Sequence, residues 1–161
     1  MSANDDLIVA TAAQWRFIMQ SKADIAGQKI ENGLFNCAAS VFSAFCEDYG
    51  IDMKTAMKLA GSFGGGCCVG EVCGAATGAL LVVGLKHGQH EPGDMAAKDA
   101  CYEKTTEFIE EFRKECGALT CRDILGADIR TEEGKVQKME RRHLCFAAVR
   151  TAAEILDKLG Y

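Results

Sequence analysis

The sequence has very little proline and no extended basic run. A single proline, Pro92, occurs among 161 residues, whereas hydrophobic residues make up 48% of the chain. This composition is typical of a folded domain and argues against long disordered segments. The densest basic run covers only Arg141 to His143, and the formal net charge is −5. A nucleic-acid-binding surface is therefore not supported, and nucleic acid is not expected as a partner.

A long apolar run is also missing. The longest, around Ala75 to Leu85, is too short and too rich in glycine to span a membrane. The first residues, M-S-A-N-D-D-L-I-V-A, carry two acids and no basic leader, so no secretory signal is predicted. We therefore expect a cytoplasmic protein without membrane insertion, folded as one helical domain over residues 1–161.

Convincing strand patterns are absent, and the spacing of apolar residues predicts helices instead. The predicted helix caps are Asn36, Asp52 and Thr120, and a further helix is predicted to start at Asp94. The expected helices cover Asp5–Gln28, Asn36 to Tyr49, Asp52 to Ala60, about Glu71 to Lys86, Asp94 to Cys116, the single turn Cys121–Leu125, and Met139 or Cys145 to Leu159. The polar segment 127–137 is expected to be flexible. The predicted fold is an all-α, single-domain bundle of five or six helices.

Nine cysteines are the unusual feature of the sequence, and no two of them form a C-x-x-C motif. Its absence excludes the usual zinc-ribbon, bacterial ferredoxin and thioredoxin-like signatures, and with them the C-x-x-C-H motif that attaches haem. No haem is therefore expected. Because thiols in the cytoplasm stay reduced, so many cysteines indicate metal or redox chemistry rather than structural disulfides.

Glycines and cysteines concentrate in the stretch 64–84. Three successive glycines, Gly64 to Gly66, predict a loop, since glycine loses the most backbone freedom when it enters a helix. The run that follows predicts a buried helix with Cys73 in its first turn. The unpaired N–H groups of a helix start should favour the thiolate of Cys73. Gly74 and Gly78, one turn apart, allow another backbone to approach closely.

Four cysteines share a position at or near the start of a predicted helix: Cys37, Cys73, Cys121 and Cys145. If the four helix starts meet, they offer four thiolates with backbone N–H groups around them. Such a set suits a centre of negative charge, for example a thiolate-ligated iron–sulfur cluster. Local spacing alone does not reveal whether the four meet.

The same residues resemble a family of redox-active proteins with the cysteine pattern C…CGAxxG…C…C, and the resemblance spans roughly residues 32–159. The matching blocks are Asn36-Cys37-Ala38-Ala39, Cys73-Gly74-Ala75-Ala76-Thr77-Gly78, Thr120-Cys121-Arg122-Asp123-Ile124-Leu125-Gly126 and Cys145. Split-Soret cytochromes c are similar to this family in their cysteine-bearing domain, where cysteines hold a two-iron cluster beside haems. The resemblance thus implies an iron–sulfur cluster, with the two-iron type favoured over a four-iron one. The ligands that the resemblance implies are Cys37, Cys73, Cys121 and Cys145.

The other five cysteines receive different predictions. Cys46 lies half a revolution away from Cys37 on the same predicted helix, so it should not share its site. Cys101 and Cys116 are predicted to be buried structural residues. The remaining two, in the glycine loop, are additional to the family's four.

We expect a protein that transfers single electrons to or from a redox partner protein. Two alternatives remain open: a metal-free thiol–disulfide protein or sensor that uses Cys67, Cys68 or Cys73, and a structural zinc site at the same four cysteines. The sequence contains no carboxylate pair, no Ser-His-Asp order and no nucleotide-binding loop, so it leaves open whether the protein is an enzyme. A homodimer is left open as well.

Overall fold

The computed structural model describes residues 20–161, which form eight α-helices. In chain order these are α1 (Lys22–Glu31), α2 (Cys37–Phe45), α3 (Met53–Ala60), α4 (Gly74–His87), α5 (Met95–Cys116), α6 (Cys121–Leu125), α7 (Glu132–Glu140) and α8 (Arg142–Lys158). Short helical turns cover Cys46–Tyr49, Gly61–Phe63 and Gly66–Gly70. Strand-like pairing within the described range is limited to one antiparallel bridge, Val72–Thr120. The all-α class is confirmed, but the predicted number of helices was too low.

Side-chain chemistry fixes four helix starts, each of which was predicted correctly. The side chains of Asn36, Asp52, Asp94 and Thr120 each accept a hydrogen bond from the backbone N–H three residues later. Such bonds satisfy an N–H group that has no partner inside the helix. They fix the starts of α2, α3, α5 and α6.

The first predicted helix differs from the observed one. Most of the predicted range Asp5–Gln28 lies outside the described residues, since these begin at residue 20. Within them, Ser21 is extended and its hydroxyl accepts from the N–H of Asp24 at 3.1 Å, so α1 begins only at Lys22. The helix then continues past Gln28 to Glu31.

Helix α7 lies largely within the segment that was predicted to be flexible. Thr131 caps it by accepting from the N–H of Gly134 at 2.9 Å. The pattern hid this helix because its large apolar residues, Val136 and Met139, are both exposed and form no stripe. Gly134 is nevertheless required, because an added Cβ would lie 1.8 Å from the carbonyl oxygen of Asp128.

The core forms around α4, which packs against α2, α5 and α8. At the contact with α2, a Cβ added to Gly78 would lie only 2.4 Å from the carbonyl oxygen of Ala38, so the predicted close approach at this glycine is confirmed. The large buried side chains around α4 are Val41, Phe42, Phe45, Val82, Val83, Phe108, Phe112, Val149 and Leu156. None of the described helices combines the length and apolar character needed to cross a lipid bilayer.

Three of the remaining cysteines differ in burial. Cys46 is fully buried, and its thiol donates to the carbonyl oxygen of Ser43 at 3.5 Å. Cys101 and Cys116 are only partly buried; Cys116 packs against the core, so its prediction is confirmed in part, whereas the prediction of Cys101 as a core residue was wrong. The buried residues of α5 are Phe108 and Phe112, so its apolar stripe is covered over only part of the helix, and Cys101 lies outside that part.

Candidate metal centre

Four separate helices carry the cysteines selected from the sequence. Cys37 is the first residue of α2, Cys73 is the N-cap of α4, and Cys121 is the first residue of α6. Cys145 lies in the first turn of α8, which begins at Arg142. The prediction that all four lie at or near helix starts is confirmed.

Backbone hydrogen bonds fix Cys73 beside Cys121. The N–H of Cys73 donates to the carbonyl oxygen of Leu119 at 2.8 Å, and the N–H of Cys121 donates to that of Glu71 at 2.7 Å. Both bonds flank the antiparallel bridge Val72–Thr120. They also correct the predicted start of α4: Glu71 pairs with another segment, and the helix begins at Gly74.

Glycines allow the cysteine-bearing segments to approach one another. A Cβ added to Gly74 would lie 3.0 Å from the Cβ of Cys37, and one added to Gly66 would lie 2.8 Å from the Cβ of Cys121. Cys37 therefore packs against the start of α4, while the glycine loop packs against Cys121. Any side chain at either glycine would occupy space beside a cysteine.

The four thiols are close enough to influence one another. Cys37 and Cys145 form a hydrogen-bonded pair, and Cys73 and Cys121 both interact electrostatically with Cys37. Cys145 in turn interacts with both Cys73 and Cys121. Yet no set of three or more Cys, His, Asp or Glu side chains within residues 20–161 is arranged to hold a metal ion. Because charges interact over longer distances than a metal–ligand bond spans, the two observations agree: the thiols influence one another, yet no three of them are placed to hold one metal ion.

Burial dominates the acid–base behaviour of Cys73. It raises the pKa of Cys73 to about 12, although the N–H groups of Ala75 and Ala76 lower it. The expected effect of the helix start is thus present, but desolvation is larger, and the prediction that Cys73 favours the thiolate was wrong. A thiol buried in this way is a poor free nucleophile near neutral pH, where a bound metal ion would stabilise its thiolate.

Cys145 is the thiol of this group that loses its proton most readily. Its pKa is lowered to about 7, first by the hydrogen bond with Cys37 and also by the positive charges of Lys138 and Arg142, against the effect of burial. The same hydrogen bond, together with burial, holds the pKa of Cys37 well above its ordinary value. Burial likewise raises the pKa of Cys121.

A cavity of about 320 Å³ opens beside Cys37 and Cys145. Its other lining residues include the apolar Ile30, Phe35, Met139 and Phe146 and the basic Lys138 and Arg142. The guanidinium carbon of Arg142 lies 5.3 Å from the centre of the Phe146 ring. The cavity gives small molecules access to one side of this set of four thiols.

Sequence reasoning missed Lys138 and Arg142. Arg142 precedes Cys145 by three residues, a spacing that places both on one side of a helix, and Lys138 lies one turn before Arg142 in the sequence. This signal was available, but it depends on knowing that α7 and α8 occupy this region. The predicted flexible segment concealed it.

A family model matches most of the chain. The model, described as "Putative redox-active protein (C_GCAxxG_C_C)", covers residues 35–159, a range that contains all four grouped cysteines. The central block of that description is G-C-A-x-x-G, whereas here Cys73 precedes Gly74, so these two residue types occur in the opposite order. No curated protein and no solved structure matched the chain.

Proposed function

The chain belongs to this family of redox-active proteins, and from that premise we propose that it binds an iron–sulfur cluster and transfers single electrons. The proposed ligands are Cys37, Cys73, Cys121 and Cys145. A redox partner protein and a cytoplasmic location are part of the same proposal.

One observation carries the proposal: four thiols from four different helices form a single interacting group. The donor set is made of sulfur alone, which suits iron–sulfur clusters and other thiophilic metal centres. The two-iron type, implied by the family resemblance, remains our preference over a four-iron cluster.

The residues around the thiols would tune the centre. When bound, the cluster would supply one-electron chemistry at the four sulfurs. The N–H groups of Ala75 and Ala76 lower the pKa of the Cys73 thiol, and the charges of Lys138 and Arg142 act on Cys145. Hydrogen bonds to sulfur and nearby positive charge both stabilise a more negative centre, so they should raise its reduction potential.

Electrons would enter or leave on the side of the cavity. Cys37 and Cys145 line this cavity and are partly exposed, whereas Cys73 and Cys121 are buried. A partner protein that covers the cavity would therefore come closest to the first two thiols. The lysine and arginine on the same side favour a partner with an acidic surface.

The test is to purify the protein anaerobically from iron-replete cells and to measure iron and acid-labile sulfide per chain. We expect iron, sulfide and visible absorption, with a strong loss in each single Cys→Ser variant at the four proposed ligands. Cys101→Ser is the matched control, since it removes a partly buried thiol from a helix that carries no proposed ligand. A colourless, iron-free protein would count against the proposal, and zinc in place of iron would favour the structural-zinc alternative.

A metal-free thiol–disulfide function at Cys73 has less support. Burial and the resulting high pKa make this thiol a weak nucleophile. The exposed cysteines of the glycine loop are a different case, since they lie outside the buried group.

A further inference from the structure

Cys67 and Cys68 form the one pair of adjacent cysteines in the sequence, and both side chains are exposed. Their φ angles are +55° and +66°, and they are the non-glycine residues with positive φ in the described part of the chain. Glycine adopts this left-handed conformation readily, whereas other L residues are disfavoured in it.

Stability does not account for cysteine at these two positions. Glycine would relieve the backbone conformation, and an exposed side chain adds little apolar burial. An unfavourable conformation that persists without a packing reason points to function. The property that cysteine adds here is a pair of accessible thiols on consecutive residues.

The turn that carries the pair is held at both ends. The N–H of Glu71 donates to the carbonyl oxygen of Gly66 at 3.0 Å, and the side chain of Arg122 donates to that of Gly70 at 3.4 Å. The two thiols therefore remain neighbours on a tight turn. Adjacent Cα atoms lie about 3.8 Å apart across a trans peptide bond, which is closer than in most disulfides. A disulfide between them would be strained and hence easily reduced.

Cys68 also faces a charged groove. It lines a groove of about 430 Å³ together with Asn36, Ile129, Lys135 and Lys138. The two lysines lie on α7 and bring positive charge to the groove, and Lys135 also forms an ion pair with Glu132 at 2.6 Å. Its size and charge suit a small anionic molecule such as a peptide-like disulfide that carries carboxylates.

We propose that Cys67 and Cys68 form a second redox site, a dithiol–disulfide couple that exchanges with small anionic disulfides. The Cys68 thiolate attacks one sulfur of the small disulfide, forming a mixed disulfide and releasing one thiolate. The Cys67 thiolate then attacks the Cys68 sulfur, forming the Cys67–Cys68 bond and releasing the second thiolate. Two electrons pass to the small disulfide, and the two protons lost by the cysteines end on the two released thiols. The couple does not depend on the metal centre.

The test uses the full-length protein as purified, incubated with a large excess of glutathione disulfide, which drives formation of a strained disulfide, and then alkylated. Cleavage after glutamate residues gives the fragment 48–71, which contains Cys67 and Cys68 and no other cysteine. In the wild type we expect this fragment to lose two hydrogens and to resist alkylation. Iron content is measured in parallel, so that loss of the metal centre is recorded separately.

Two single variants separate the proposed roles. Cys67→Ser should stop at a stable glutathione adduct on Cys68, because the second attack cannot occur, whereas Cys68→Ser should react slowly. Cys101→Ser should behave like the wild type. The proposal would be overturned if the wild-type fragment were alkylated at both cysteines after oxidation, or if it retained the same adduct as Cys67→Ser.

Removing one positive charge tests whether the groove attracts anionic disulfides. Lys135→Gln should slow oxidation by glutathione disulfide by about twofold, the size expected for one exposed charge. It should leave oxidation by the neutral hydroxyethyl disulfide unchanged. Equal effects on both reagents, or no effect on either, would overturn the part assigned to the groove.

Discussion

Replacing Gly78 with alanine is expected to force α2 and α4 apart beside the cysteine group. The added Cβ would lie 2.4 Å from the carbonyl oxygen of Ala38 and 2.9 Å from its Cα. Ordinary contact begins near 3.4 Å, so the two helices must separate by about 1 Å. Both contacts are to backbone atoms, and no side-chain rotation can relieve them.

A second glycine of α4 allows the cost of this contact to be measured. Gly84 is exposed, and an added Cβ there meets nothing within 4 Å. Alanine at either position gains about 1 kcal/mol in helix propensity. Overpacking costs about 1–3 kcal/mol, and only Gly78→Ala incurs it. Gly78→Ala should therefore be less stable than Gly84→Ala by about 1–3 kcal/mol, and Gly84→Ala should be more stable than the wild type.

Urea denaturation of the metal-free variants, followed by circular dichroism, measures this difference. A second assay connects it to the site: Ala38 follows Cys37 directly, so the separation moves one proposed ligand relative to the start of α4. Metal retention by Gly78→Ala should then fall by about tenfold, as is common when the support of a ligand is disturbed. Equal denaturation midpoints for Gly78→Ala and Gly84→Ala would refute the close contact, and with it the reasoning about how α2 positions Cys37.

Three further changes have expected outcomes. Gly66→Ala should be less stable than Gly65→Ala by about 1–3 kcal/mol in the same urea assay. Both glycines have φ near +60°, so the backbone strain is similar. The Cβ added at Gly66 meets a backbone atom at 2.6 Å, whereas the one added at Gly65 meets only the end of a side chain at 3.3 Å. In the metal-free protein, alkylation of Cys145 should rise with pH and level off above about pH 8, since its pKa is lowered to about 7. Alkylation of Cys73 should still be rising at about pH 10, because its pKa is raised to about 12. Mass spectrometry of labelled peptides measures both reactions, and identical pH profiles for Cys145 and Cys73 would contradict both predictions. Lys138→Gln should give the iron-loaded protein a lower reduction potential than Lys138→Arg, because only the glutamine variant removes the positive charge that stabilises the reduced state. Equal potentials in voltammetry would show that the charge of Lys138 does not tune the centre.

The features predicted correctly depend on local chemistry. Asn36 and Thr120 cap their helices through bonds to residues only three positions away, so the sequence alone contains all the information needed. Helix α7 was missed because its apolar side chains are exposed, and periodicity detects only helices that bury one face. The grouping of the four cysteines does not follow from local chemistry. It depends on long-range contacts, such as that of Gly74 with Cys37, which local spacing does not encode. The family resemblance supplied the expectation that the four cysteines lie together.

The misjudged thiol of Cys73 shows which physical effect the sequence left out. A helix start lowers a cysteine pKa wherever it occurs, and this part of the effect is visible in the N–H groups of Ala75 and Ala76. Desolvation depends on every segment that packs over the sulfur, and here it is the larger effect.

Burial also separates the chemistry available to the cysteines of the glycine-rich stretch. Cys73 is buried beside Cys121, so its thiol stays protonated until a metal ion compensates the charge, and it is suited to a permanent ligand. Cys67 and Cys68, only a few residues earlier, are exposed, so they can meet small molecules directly. Gly66 joins the two environments, since its missing side chain lets the turn rest against Cys121 while the two exposed thiols remain outside. One short segment can therefore serve a metal centre and a thiol couple, provided that this glycine keeps the two sets of sulfur atoms apart.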